Sequence, residues 1–185
     1  MCGKRTPSLK RATSLRVSPA EGAPAPVVEA DATDAVGIAA LYAEALPPGW
    51  PADELAECFG NANRAILKAT QGGCLCGFAI LQIAAGEAEI LAIAVAKEWR
   101  RRGCAASLMR AALNLCMSRF VSCIYLEVAE SNRSARELYE KFGFLLISQR
   151  KNYYRTASSA PETALIMKLD INLSGAAIDQ ERSST

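Results

Sequence analysis

The 185-residue chain contains no histidine. That absence excludes a Ser-His-Asp triad, a Cys-His pair, a His-x-x-x-His zinc helix and a phosphohistidine relay. Acid–base chemistry near neutral pH must then use carboxylates, tyrosine, lysine, cysteine or the substrate's own groups. Cys-x-x-Cys pairs are missing too, so neither usual ligand pattern for zinc exists. No apolar run reaches the roughly 18 residues that suggest a membrane span. The seven cysteines (Cys2, Cys58, Cys74, Cys76, Cys104, Cys116 and Cys123) are odd in number and follow no secretory signal pattern. They read as small buried residues of a reducing compartment, not as a disulfide framework.

Acidic residues are absent from the first 20 positions, which carry Lys4, Arg5, Lys10, Arg11 and Arg16. Setting these five aside leaves 16 basic residues against 19 acidic ones, so the formal net charge of +2 belongs to this segment and the remainder is mildly acidic. A general nucleic-acid-binding surface is not expected, nor a membrane partner. Residues 1–25, rich in Ser, Thr, Pro and basic side chains, read as a disordered basic tail of a cytoplasmic protein. The same composition suits an organelle transit peptide, or an electrostatic arm facing the ribosome. Residues 171–185 read as a polar C-terminal tail.

Between the tails, an apolar content of 51% and a charged content of 22% describe one globular domain over residues 26–170. It can bury a core without disulfides or metal. Val27–Ala30 is strand-like, and Asp31 or Thr33 can cap a helix running to about Leu46. Pro47-Pro48-Gly49-Trp50-Pro51 breaks it before a short helix at Asp53–Cys58. Strand-like runs follow at Ala65–Thr70, Cys74–Ile83 and Ala88–Ala96, with turns at Gly72-Gly73 and Gly86. Gly103–Phe120 is a long helix, Ser122–Val128 a buried strand, and Asn132–Phe142 a helix closed by Gly143. Phe144–Tyr154 and Glu162–Asp170 are two further strands. The order β-α-α-β-β-β-α-β-α-β-β predicts a mixed α/β sheet. Its strands around the 88–128 crossover must be parallel, and neighbours early and late can pair antiparallel.

Arg100-Arg101-Arg102-Gly103-Cys104-Ala105-Ala106 follows a strand and opens a helix. A helix start has unpartnered N–H groups and a dipole that favours an anion. Gly103, Ala105 and Ala106 are small enough to let a phosphate approach. The alternative is a basic helix start with small packing residues. Glu127 interrupts an otherwise apolar strand, which an acid does only when paired, functional or turned to solvent. Tyr139 supplies a phenol, or packs beside Phe142.

Arg100-x-x-Gly103-x-Ala105 after a strand resembles the acetyl-CoA signature, (Gln/Arg)-x-x-Gly-x-(Gly/Ala), of the GNAT superfamily of N-acetyltransferases. The likeness continues through Leu126-Glu127-Val128, Ser131-Asn132, Leu138-Tyr139, Gly143-Phe144, Asn152-Tyr153-Tyr154 and Ala164-Leu165-Ile166-Met167. That series is similar to the branch acting on the N-terminal alanine of small-subunit ribosomal proteins. It is strong over 88–169, weaker over 26–87 and absent from both tails. The resemblance implies a mostly antiparallel sheet of six to seven strands, helices on both faces and a splayed parallel central pair. It implies acetyl-CoA as co-substrate and no metal. The backbone of Ile93, Ala94 and Val95 would hold the pantetheine arm, and Arg101, Arg102, Gly103, Cys104, Ala105 and Ala106 the pyrophosphate. Asn132 would contact the cofactor near its reactive end. Glu127 matches the family's proton acceptor and Tyr139 its proton donor.

The acceptor would be a peptide α-amino group, with a pKa of about 7.7–8.0, whose proton a carboxylate can remove. A backbone N–H near Val95 would serve the oxyanion. Cys104, at a helix start, is the alternative covalent carrier. Tyr153, Tyr154 and Trp50 could line a peptide groove, although Trp50 could equally pack on the sheet. The sequence departs from the pattern at Arg155, where proline is expected, and in the glycine-free loop Thr156–Pro161. Both affect the peptide-exit side. A GNAT acting on a small amine or on lysine, and a CoA-binding module without catalysis, are the rival functions. The protein is expected to be a monomer or weak oligomer.

Overall fold

The computed structural model describes residues 25–154 and 162–171. Residues 1–24, the loop 155–161 with Arg155, and residues 172–185 lie outside them, and so do the expectations for both tails and that loop. The elements are β1 (Val27–Glu29), α1 (Ala35–Ala45), α2 (Ala52–Cys58), β2 (Arg64–Gln71), β3 (Cys74–Ala84), β4 (Glu87–Val95), α3 (Cys104–Ser118), β5 (Cys123–Ala129), α4 (Arg133–Lys141), β6 (Leu145–Tyr154) and β7 (Glu162–Asp170). The strands form one seven-stranded sheet in the order β1-β2-β3-β4-β5-β7-β6. Only β4 and β5 are parallel, because the connection through α3 returns the chain to the same end of the sheet.

Local chemistry sets several boundaries. Asp31 accepts from the Thr33 N–H at 2.8 Å, and the Asp34 carboxylate accepts from the Asp31 N–H at 3.0 Å. This reciprocal cap starts a short 3-10 turn, Ala32–Asp34, that leads into α1. Lys68 on β2 meets Asp34 at 2.6 Å and ties that start to the sheet. α3 begins at Cys104, one residue later than the sequence predicts, because Gly103 is left-handed. β6 begins at Leu145, and Phe144 drops into the core instead.

Helices cover both faces of the sheet. On one face Phe78 of β3 lies 5.2 Å from the Tyr42 ring of α1. On the other, a Cβ at neighbouring Gly77 would come within 3.1 Å of Leu108 and 3.2 Å of the Cys104 sulfur, both on α3. Side chains alternate along a strand, so α1 and α3 lie on opposite sides. Ile38, Leu55, Ile80, Leu108, Met109, Ile124 and Leu126 fill the space between layers and are almost wholly buried.

The six described cysteines are free. Cys76, Cys104, Cys116 and Cys123 are buried as expected, and Cys58 is half-buried. Cys74 departs from the expectation: it sits at the hairpin end of β3 and is exposed. Among the described residues, no helix is long and apolar enough to cross a membrane.

Candidate active site

The central parallel pair is short. β4 and β5 stay in register only from Glu87 opposite Cys123 to Ile90 opposite Leu126. The next residue, Leu91, is skipped where the β3–β4 register passes from Ala92 opposite Ile80 to Ile90 opposite Leu81. Such a bulge bends the strand that carries it. β4 then follows β3 as far as Val95, while β5 follows β7 as far as Ala129. A wedge opens between them.

The Ala96 N–H donates to the Cys76 carbonyl at 2.9 Å. With a period of two, Ala94 also turns its backbone groups toward β3, and Ile93 and Val95 turn theirs into the wedge. Of the three residues expected to offer backbone there, Ile93 and Val95 have that orientation. Arg100 Nε donates to the Val95 carbonyl at 3.2 Å, fixing the turn that leads to α3.

That turn ends at Arg101 with φ 62° and Gly103 with φ 80°. A Cβ at Gly103 would meet nothing within 4 Å, so the glycine answers the backbone angle and not a lack of space. No side chain caps α3. Its first intrahelical bond runs from the Ser107 N–H to the Gly103 carbonyl at 2.9 Å, which leaves the N–H groups of Cys104, Ala105 and Ala106 without an intrahelical acceptor. Arg102 lies 5.7 Å above the Trp99 ring, and Arg101, Arg102 and Gly103 are exposed. Open N–H groups, a helix dipole and adjacent guanidinium groups suit a diphosphate. The wedge next to them suits an extended amide-bearing arm. The residues present therefore suit a ligand that carries a diphosphate and an extended arm, as acetyl-CoA does.

Cys104 can offer this turn only its backbone, because its side chain points inward. Its side chain is buried against the sheet, and that burial pushes the thiol up to about 12, with Cys76 adding to the effect. Burial outweighs the lowering expected at a helix start. A covalent acetyl carrier would need a thiolate that this residue does not form at neutral pH.

Glu127 lies on the α1 side of the sheet. Phe78 and Gln82 share one face of β3, Gln82 is opposite Glu89, and Glu89 is opposite Tyr125, two residues before Glu127. The side chain is only 22% exposed, and its Oε1 is 2.7 Å from Arg150 Nη1 of β6. Gln82, Glu87, Glu89, Tyr125, Glu127 and Arg150 line a cavity of about 320 Å³. The acid is thus neither in the core nor free in solvent: it is ion-paired on the wall of a cleft beside the wedge. Arg150 opens the stretch Arg150-Lys151-Asn152-Tyr153-Tyr154 that carries part of the resemblance, but the sequence assigns it no role. An acid within an apolar strand signalled a missing partner, but β7 inserts between β5 and β6, and no local pattern announces that.

Tyr139 is buried on α4, with its ring 5.9 Å from Phe144. It does not line the cavity that holds Glu127. Asn132 caps α4: its Oδ1 accepts from the Ala135 N–H at 3.2 Å and from Ser134 Oγ at 3.3 Å. The turn before it is tied to β7, because the Glu162 carboxylate accepts from the Ser131 N–H at 2.8 Å. Hydrogen bonding from the Ser131 side chain and from its N–H holds the Glu162 carboxyl below its usual value. Trp50 packs 6.0 Å from Tyr42 and lies under Arg64 at 5.5 Å. Tyr153 and Tyr154 end β6.

Comparison with known proteins gives the same picture. The model of the Acetyltransferase (GNAT) family matches residues 35–144. The [ribosomal protein bS18]-alanine N-acetyltransferase of Salmonella typhimurium is 34% identical over 146 residues, which is 74% of this chain and 98% of the relative. Its namesake from Escherichia coli K12 is 38% identical over 104 residues, 56% of this chain and 70% of the relative. The crystal structure of the ribosomal-protein-S18-alanine N-acetyltransferase from Escherichia coli superposes with a TM-score of 0.74 at 29% identity, covering 83% of this chain and 97% of that one. With its splayed parallel pair and its uncapped helix start beside the wedge, the chain belongs to the GNAT family of acetyltransferases.

Proposed function

We propose that this acetyltransferase moves acetyl from acetyl-CoA to a protein N-terminal amine, namely the N-terminal alanine of a small-subunit ribosomal protein. It acts as one domain, residues 26–170, in the cytoplasm. The observation that carries the reading is the placement of Glu127 on the wall of a cleft, one residue past the last β4–β5 pair, where the wedge begins. The bS18-alanine relatives, one of them matched over almost its whole length, support the acceptor.

Bound acetyl-CoA supplies an activated thioester and a thiolate leaving group. Ile93 and Val95 hold its pantetheine arm along their backbone edge. The N–H groups at Cys104, Ala105 and Ala106, with Arg101 and Arg102, hold the pyrophosphate. Asn132 lies nearer the reacting end. Glu127 takes a proton from the acceptor ammonium, directly or through one water, so that the amine arrives with its lone pair free. The Val95 N–H faces the wedge and can donate to charge developing on the carbonyl oxygen. Tyr139 gives its phenolic proton to the departing sulfur and recovers one from the nitrogen, which sheds its second proton as the amide forms. Tyr153, Tyr154 and Trp50 border the peptide path.

The test is steady-state release of CoA thiol with a peptide beginning in alanine. Glu127→Gln and Tyr139→Phe should each lower kcat by roughly 10²-fold or more, with little change in CoA binding. Wild-type rates in both variants would overturn the mechanism. Acetylation of a small amine or of lysine in preference to the peptide would overturn the acceptor.

A further inference from the structure

We propose that Arg150 is a positioning residue for Glu127, an inference that rests on the reading of Glu127 as the base. Arg150 comes from β6, two strands away in the sheet. Across the intervening strand, Ile166 faces Glu127, while Ala164 faces both Ala129 and Arg150. Residues 164 and 166 share one face of β7, so Arg150 and Glu127 project to the same side. Ala164 and Ala129 offer only methyl groups along the way. The arginine stem crosses β7 over Ala164 and brings Nη1 to 2.7 Å from Glu127 Oε1.

A carboxylate on a strand can rotate among several staggered positions. One short charge-assisted hydrogen bond on Oε1 removes most of that freedom. Both residues line the cleft, so the carboxylate is held at its wall. The arginine side chain is 52% exposed, so the pair adds little to folding stability. Its value lies in orientation, where a displacement of about 1 Å can cost on the order of 10²-fold in rate.

The experiment uses the full chain, acetyl-CoA and a peptide beginning in alanine. Arg150→Met keeps the stem and removes the charge; Arg150→Lys keeps a charge. Arg150→Met should lower kcat about tenfold, with the KM for acetyl-CoA and the melting midpoint unchanged, and Arg150→Lys should regain most of the rate. On a Glu127→Gln background, Arg150→Met should cause no further loss, since nothing remains to orient. A wild-type kcat in Arg150→Met, with Glu127→Gln slow, overturns the proposal and leaves the base in place. So does a loss that persists undiminished on the Glu127→Gln background. A wild-type kcat in Glu127→Gln overturns the reading of the base itself.

Discussion

Two helices begin beside the same wedge, and they begin differently. α3 starts at Gly103 with no side-chain cap, after three consecutive arginines. α4 starts at Asn132, whose side chain accepts from the Ala135 N–H. Both follow strands of the central parallel pair, and both expose a positive dipole end. One leaves its N–H groups open, and the other satisfies part of its own. A helix start serves as an anion site when its sequence withholds the cap, not merely because it is a helix start. At α3 glycine and small alanines take the places where serine, threonine, aspartate or asparagine would cap.

The largest expected effect comes from filling the open start. Ala105→Glu places a carboxylate where the anion would sit. The helix gains roughly 0.3–1 kcal/mol from the dipole, so stability should hold or rise. Acetyl-CoA affinity should fall about 10- to 100-fold, the loss of one charge-assisted bond or more. Isothermal titration with CoA, run beside a thermal melt, separates the two. Wild-type affinity in this variant would remove α3 from the cofactor site.

The open start was legible in the sequence because its determinants are local: glycine, small residues and arginines within one turn of a predicted strand end. The helices, the hairpins and the parallel crossover were legible for the same reason, as periodicity punctuated by Gly and Pro. What escaped was long-range. The insertion of β7 between β5 and β6, which brings Arg150 to Glu127, depends on pairing between strands with no local signature. The bulge at Leu91 sits inside an unbroken apolar run, so nothing there marked the residue at which β4 leaves β5. Exposure at Cys74 was also missed, because composition cannot distinguish a strand interior from its hairpin end.

A smaller effect tests the capped start. Asn132→Ala removes the acceptor for the Ala135 N–H and should cost about 1 kcal/mol. Asn132→Asp keeps an acceptor oxygen, loses the amide donor and adds a negative charge that the helix dipole favours. If that donor touches the cofactor, both variants raise the KM for acetyl-CoA to a similar extent while only the alanine variant loses stability. If only the alanine variant changes, Asn132 is a cap alone and the contrast between the two helix starts becomes complete. Urea midpoints with paired kinetics decide between these.

The smallest effect on rate concerns Cys104, where dipole and burial oppose each other. A thiol at an open helix start should ionise readily, yet burial pushes this one up to about 12. Taking a thiolate out of water costs more than the dipole returns, because this sulfur faces Gly77 and Leu108 of the packed interior. Cys104→Ala should therefore leave kcat within about twofold of wild type. At pH 8, iodoacetamide should modify exposed Cys74 and spare Cys104, as peptide mapping by mass spectrometry would report. Because the folded value is raised, the thiol's contribution to stability is present below the unfolded value near 9 and is lost as pH climbs toward 12. The wild-type urea midpoint should fall between pH 8 and pH 10 by more than that of Cys104→Ala. Rapid labelling of Cys104 in the native protein would show that the α3 start reaches its own side chain after all, and the distinction between backbone donors and a buried thiol at this turn would collapse.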